Sequence, residues 1–162
     1  MADKKLFEGL ADRLYFAQHG FAVDKAEDAN RPLSEAGIDQ TNIIATKLHT
    51  AGVSISTIFH SGKCRAEQTA RLFANNFTNQ AFSVAEHLSP NDDVHLLLPH
   101  LKTENALYIG HLPHLGKLIS YLVTGDENDN IIRFQNSAIV CLEKNQNRYH
   151  VEWYLTPNMK TA

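Results

Sequence analysis

Cysteine is scarce: the chain has two, Cys64 and Cys141. They lie far apart and form no Cys-x-x-Cys pair. That argues against a disulfide framework or a thiolate zinc cage and points to a cytoplasmic protein with reduced thiols. Long apolar runs are also missing. None approaches the roughly 18 residues that would suggest a membrane span. The N-terminal "MADKKLFEGLADR" alternates charged and apolar residues and has no apolar signal-peptide core. Positive charge is not concentrated anywhere. With 15 Lys and Arg against 18 Asp and Glu, the net charge is −3, and general nucleic-acid binding is not expected. Repeats, low-complexity tracts and Gly/Ser/Pro-rich linkers are absent, so residues 1–162 read as one domain, with 1–12 a flexible or helical extension.

Two catalytic loops are missing as well. There is no Gly-x4-Gly-Lys-Ser/Thr loop for nucleotide phosphates. There is no Cys-x5-Arg loop either, because Cys64 and Arg71 are separated by six residues, none of them glycine. A cysteine phosphatase is therefore excluded.

What is present is an alternation of strand and helix signals. Arg13 to Gln18 reads as a strand. Ser34 can cap a helix over about Glu35 to Thr50, with Ile38, Ile43, Ile44 and Leu48 as its apolar set. "VSISTIFH" (53–60) is β-branched and strand-like. "SGKCRAEQTARLFANNF" turns at Ser61-Gly62 and becomes a helix. A short strand is expected within 81–88, and a short helix starting near Asn91 or Asp92. A strand then ends on Gly110-His111, a helix ends on Gly125, and the tail folds as two strands about a polar turn. This order predicts an α/β fold: a single-domain, three-layer structure whose mainly parallel central sheet is flanked by helices and carries a C-terminal hairpin. Ligands of such sheets sit beyond the carboxyl ends of the strands. Three segments fall there: Gln18-His19-Gly20, Ser61 to Arg65, and Gly110-His111.

Two histidines and an arginine at strand ends suit phosphoryl chemistry. A guanidinium fork binds phosphoryl oxygens through charge-assisted hydrogen bonds. A neutral imidazole is a nucleophile that can form a covalent intermediate, and a second imidazole can hydrogen-bond oxygens on which charge develops. This chemistry needs no metal or other cofactor. His114 follows His111 at i+3, but no third ligand is evident for a metal. His49, His60, His87, His95, His100 and His150 are expected in surface or structural roles.

Four motifs, in order, resemble those of the histidine phosphatase superfamily, which includes the phosphoglycerate mutases, and most closely its SixA-like phosphohistidine phosphatases. "QHG" stands for Arg-His-Gly, "RPLSEAG" for Arg-Pro-Leu-Thr-x-x-Gly, "SGKCRAEQTA" for Ser-Pro-x-x-Arg-Ala-x-Gln-Thr, and "IGHLPHLG" for Ser/Gly-His-Leu-Pro. They span most of the chain. The resemblance implies a phosphoglycerate mutase-like fold and a phosphatase in which His19 becomes phosphorylated, Arg65 binds the phosphoryl oxygens and His111 is the second pocket histidine. The implied substrate is a histidine-phosphorylated protein. The short stretch between Arg65 and His111 leaves little chain for a lid, and an open pocket suits a side chain presented by a partner.

Two positions depart from the pattern. Gln18 replaces the arginine before the nucleophile, and Phe21 stands where an acidic residue is common. A hydrogen bond to a charged group is worth roughly 1.5–3 kcal/mol, against about 1 for a neutral one. Losing that increment in the transition state slows turnover roughly 10- to 100-fold. Arg31 and Lys63 are the cations expected nearby. Glu86 is the expected candidate for a general acid, with Asp92 or Asp93 behind it. Two further readings stay open: a binder of phosphoproteins or phosphate without turnover, and a small-molecule phosphomonoesterase.

Overall fold

The computed structural model describes residues 6–77 and 80–158. Six strands form one sheet: β1 (Arg13–Gln18), β2 (Thr57–His60), β3 (Phe82–Val84), β4 (Ala106–Gly110), β5 (Ile139–Asn145) and β6 (Arg148–Leu155). Their order is β3-β2-β4-β1-β5-β6. The first four in that order run parallel, and β5 and β6 form the antiparallel hairpin. The helices are α1 (Glu35–Thr50), α2 (Cys64–Asn76), α3 (Val94–Leu97) and α4 (His114–Thr124).

The central strands are buried on both faces, so they read as continuous apolar runs. Alternation still sorts their side chains. Leu14 and Phe16 of β1, Tyr108 of β4 and Val140 of β5 join Leu115, Leu118 and Val94 in a core under α3 and α4. Tyr15 and Ala17, Leu107 and Ile109, and Cys141 join Ile44, Leu48, Ala66 and Phe73 in a second core under α1 and α2. The result is a helix–sheet–helix sandwich.

Several element details differ from the sequence reading. The buried face of α1 is Gly37, Thr41, Ile44, Ala45 and Leu48, while Ile38 and Ile43 are exposed. Strand β2 begins at Thr57, and β3 has only three residues. Helix α3 starts at Val94, just after Asn91 and Asp92, and Asp93 caps it, accepting a hydrogen bond from the His95 N–H. Over its described part the expected N-terminal extension is not helical. Residues 6–9 form turns, Phe7 and Leu10 are buried, and Lys144 Nζ donates to both of their carbonyls, at 3.0 and 2.6 Å. No helix among the described residues is long and apolar enough to cross a membrane.

Candidate active site

The parallel register sets three strand ends side by side. Gln18 of β1 is opposite Gly110 of β4, and His60 of β2 is opposite Ile109 of β4. The residues that follow, His19, His111 and Ser61, therefore emerge along one sheet edge. The His19 N–H donates to the Gly110 carbonyl at 3.1 Å, and the His19 and His111 rings lie 4.9 Å apart between centroids.

The His19 ring has a defined tautomer. Nδ1 lies 2.7 Å from the Gly20 carbonyl oxygen, which can only accept, so Nδ1 carries the proton and Nε2 keeps its lone pair. The ring is buried. Burial pushes its pKa down to about 4, with the Arg65 and Arg31 charges adding to the shift despite the opposing Gly20 bond. His111 is pushed down to about 3, by burial first and then by His19, Arg65 and Lys63. Both imidazoles are therefore neutral at neutral pH.

The loop carrying His19 is held tightly. The Gly20 N–H donates to Thr69 Oγ1 at 2.9 Å, and Thr69 Oγ1 donates to the Arg65 carbonyl at 2.7 Å. Thr69 thus ties the His19 loop to the first turn of α2, where Arg65 sits. Gln68 Oε1 accepts from the Leu33 N–H at 2.6 Å, tying α2 to the loop that carries Arg31. A Cβ at position 20 would stand 2.8 Å from Thr41 Oγ1, so only glycine allows this approach. On the far side, Asn136 Nδ2 donates to the His19 carbonyl at 3.1 Å, and the Ser137 N–H donates to the Gln18 carbonyl at 3.1 Å. Asn136, Ser137 and Thr69 were not singled out from the sequence. They act on backbone far along the chain and leave no local pattern, except that Thr69 belongs to the "RAEQT" motif.

Gln18, His19, Phe21, Ala22, Arg31, Arg65, Pro90, His111, Leu112 and Asn136 line an open cleft of about 260 Å³. Among the described residues, two guanidiniums and no carboxylate line it. Burial and the neighbouring Arg31 charge lower the Arg65 pKa from its usual value. Three buried polar atoms of the cleft have no hydrogen-bond partner: Gln18 Oε1, Arg65 Nε and His111 Nδ1. Such atoms are costly unless something polar meets them. Arg65 Nε is a donor that, beside two cationic groups, suits an oxyanion of phosphate size, whereas Gln18 Oε1 only accepts and needs a donor.

Of the residues expected at the site, Gln18, His19, Arg31, Arg65 and His111 are brought together. Lys63 is exposed at the N-cap of α2 and is not among the lining residues. Its charge nonetheless acts on His111. Glu86 is not brought to the cleft: its side chain is 90% exposed and lines a separate hollow with Phe59, His100 and Tyr108. Asp92 accepts from the Ser89 N–H and Asp93 caps α3, so neither lines the cleft. Phe21, 55% exposed, stands at its rim. His114 is buried, next to the His87 backbone. Among the described residues the donors close enough to share an ion are Asp93, His95 and Glu127, which include neither His111 nor His114. At the α2 turn, Gly62 takes the place of the motif's proline. It adopts φ +91° and donates its N–H to His60 Nδ1 at 3.1 Å, a bond proline lacks the hydrogen to make.

No family model matches the chain. The curated phosphohistidine phosphatase SixA of Escherichia coli K12 is 32% identical over an alignment of 162 positions, gaps included, covering 93% of this chain and 98% of that protein. A solved structure of the protein histidine phosphatase SixA complexed with tungstate superposes with a TM-score of 0.75 at 26% identity, covering 90% of this chain and 97% of the other. The structure of a SixA homologue from Agrobacterium tumefaciens, at 20% identity, shares the fold with a TM-score of 0.78 and coverage of 91% and 99%. The chain belongs to the SixA family of the histidine phosphatase superfamily and is a phosphatase.

Proposed function

We propose that the chain takes the phosphoryl group from a phosphohistidine on another protein, a phosphotransfer or carrier domain, and hydrolyses it through phospho-His19. The observation that carries this reading is the state of the His19 ring: neutral, with Nδ1–H on the Gly20 carbonyl and an unprotonated Nε2. In the first step Nε2 bonds to phosphorus in line as the bond from phosphorus to the substrate imidazole breaks. The substrate ring, protonated at its other nitrogen, leaves as neutral imidazole. In the second step water attacks phosphorus, its proton goes to the released phosphate, and the bond to Nε2 breaks. His19 keeps its Nδ1 proton throughout. Arg65 and Arg31 neutralise the phosphoryl oxygens, while Gln18 and His111 offer hydrogen bonds to them. An imidazole leaves far more readily than an alkoxide, which fits a cleft that no described carboxylate lines.

Gln18 favours a second reading. A cleft that keeps Arg65, His19 and His111 but lacks the motif arginine can bind phosphorylated partners without turning them over. One comparison separates the readings: phosphate release from a histidine-phosphorylated phosphotransfer domain by wild type, His19→Ala and Gln18→Arg. Release by wild type that His19→Ala abolishes is the expected result. Release unchanged in His19→Ala sinks the mechanism. No release by wild type, with release gained in Gln18→Arg, establishes the binder. Faster hydrolysis of phosphomonoesters than of phosphohistidine makes the chain a small-molecule phosphatase.

A further inference from the structure

The two imidazoles of the cleft need opposite faces to do different work. His19 presents a lone pair to phosphorus. His111 can stabilise a phosphoryl oxygen only by presenting an N–H, because a ring lone pair would repel it. Since the ring is neutral, one nitrogen carries the hydrogen, and something must decide which.

Ser61 is placed to decide. Its Oγ is 2.5 Å from His111 Nε2. The Lys63 N–H donates to the same oxygen at 3.3 Å, giving the hydroxyl a donor to accept from. With that acceptor role filled, its own hydrogen is available to Nε2. The placement follows from the sheet: Ser61 directly follows β2 and His111 directly follows β4, and these strands are parallel neighbours in register. The remaining nitrogen, His111 Nδ1, is buried and without a protein partner, on a ring that lines the cleft.

We infer that Ser61 is a positioning residue: its hydroxyl donates to His111 Nε2 and so fixes the proton on Nδ1, the nitrogen left to meet a phosphoryl oxygen. Both rings then hold the Nδ1–H tautomer for opposite uses. The Gly20 carbonyl accepts from the Nδ1–H of His19 and leaves Nε2 free as nucleophile. The Ser61 hydroxyl takes up Nε2 of His111 and leaves Nδ1–H as donor. The catalytic part of this assignment rests on the phosphatase reading above, but the tautomer does not.

The test is nitrogen-15 NMR of the ring nitrogens in histidine-labelled full-length protein near pH 7, with the His111 signals assigned by their loss in His111→Gln. Wild type is expected to show a protonated Nδ1 and an unprotonated Nε2 at His111. Ser61→Ala is expected to lose that preference and Ser61→Thr to keep it. With a histidine-phosphorylated domain as substrate, Ser61→Ala is expected to lower kcat roughly tenfold with little change in KM, as loss of one transition-state hydrogen bond would. Ser61→Thr is expected to recover most of it. An Nε2–H His111 in wild type, or an unmoved tautomer and unmoved kcat in Ser61→Ala, overturns the inference. A wild type with Nδ1–H on His111 but no phosphate release upholds the tautomer assignment and removes only the phosphatase reading.

Discussion

At the residue scale the question is charge beside His19. A glutamine amide can turn its NH2 toward a phosphoryl oxygen, but it contributes no net charge. Arg31 lines the same cleft, and its placement is specific. It sits at φ +48°, outside the conformations most residues prefer, and its Nε donates to the Val23 carbonyl at 3.1 Å. That bond leaves its terminal nitrogens unengaged by Val23. If Arg31 stands in for the motif arginine, Arg31→Ala should lower kcat/KM roughly 10- to 100-fold, the size of one lost charge-assisted contact. In a Gln18→Arg background the same change should cost under about tenfold, because a second cation is then present. A double-mutant cycle reads the coupling directly, and equal costs in both backgrounds would show that Arg31 has no such role. His19, Arg65 and His111 were legible in the sequence because each follows a strand or opens a helix within a recognisable motif. Asn136 and Ser137 were not, since they bond to the backbone of a loop that is close only once the sheet has formed.

At the element scale, α1 shows why periodicity alone misplaced a helix face. Apolar residues suggested a stripe through Ile38 and Ile43, yet both are exposed. The helix is turned to set Gly37 and Thr41 under the His19 loop. A Cβ at position 37 would stand 2.2 Å from the Phe21 carbonyl oxygen and 2.9 Å from its nitrogen. These are backbone atoms of a loop pinned by the Ser34 N–H, which donates to the Phe21 carbonyl at 2.9 Å. Glycine to alanine in a helix interior ordinarily stabilises by roughly 0.5–1 kcal/mol. Here the clash should reverse the sign, because neither helix nor loop can give way without breaking that bond. Gly37→Ala should destabilise the fold by about 2 kcal/mol or more, within the range of overpacking, and chemical denaturation measures it. A stabilised variant would refute the close approach. The "RPLSEAG" motif thus has a steric meaning: Ser34 caps the helix by accepting from the Gly37 N–H at 3.0 Å, and Gly37 lets it dock. The short pieces, α3 and β3, were blurred in the sequence because four or three residues carry too little pattern to set their ends.

At the scale of the whole molecule, the sheet gathers chemistry that the sequence scatters. Strand order β2-β4-β1 brings Ser61, His111 and His19 to one edge, and the helix after β2 adds Arg65. The sequence carried this much, since strand–helix alternation predicts both the sheet and the end where ligands bind. It did not carry the electrostatic consequence, which depends on burial. The fold keeps two imidazoles neutral beside two guanidiniums, whereas both protonate freely once unfolded, with pKa values near 6.5. The sign follows. The folded pKa values lie below the unfolded ones, so the native state binds fewer protons as pH falls, and the stability present above about pH 6.5 is lost on the way down. With His19 titrating at about 4 in the fold, its share of the loss by pH 4 is on the order of 3 kcal/mol, and His111 adds to it. The denaturation midpoint should therefore fall steadily between pH 6.5 and pH 4. Inorganic phosphate should shift the decline toward lower pH if it binds the neutral-imidazole cleft, and His19→Gln with His111→Gln should flatten it. A wild-type profile already flat across that window would mean that the fold does not lower the pKa of either ring, and phosphoryl transfer by His19 would then fall away below about pH 6.5 as the imidazole protonates.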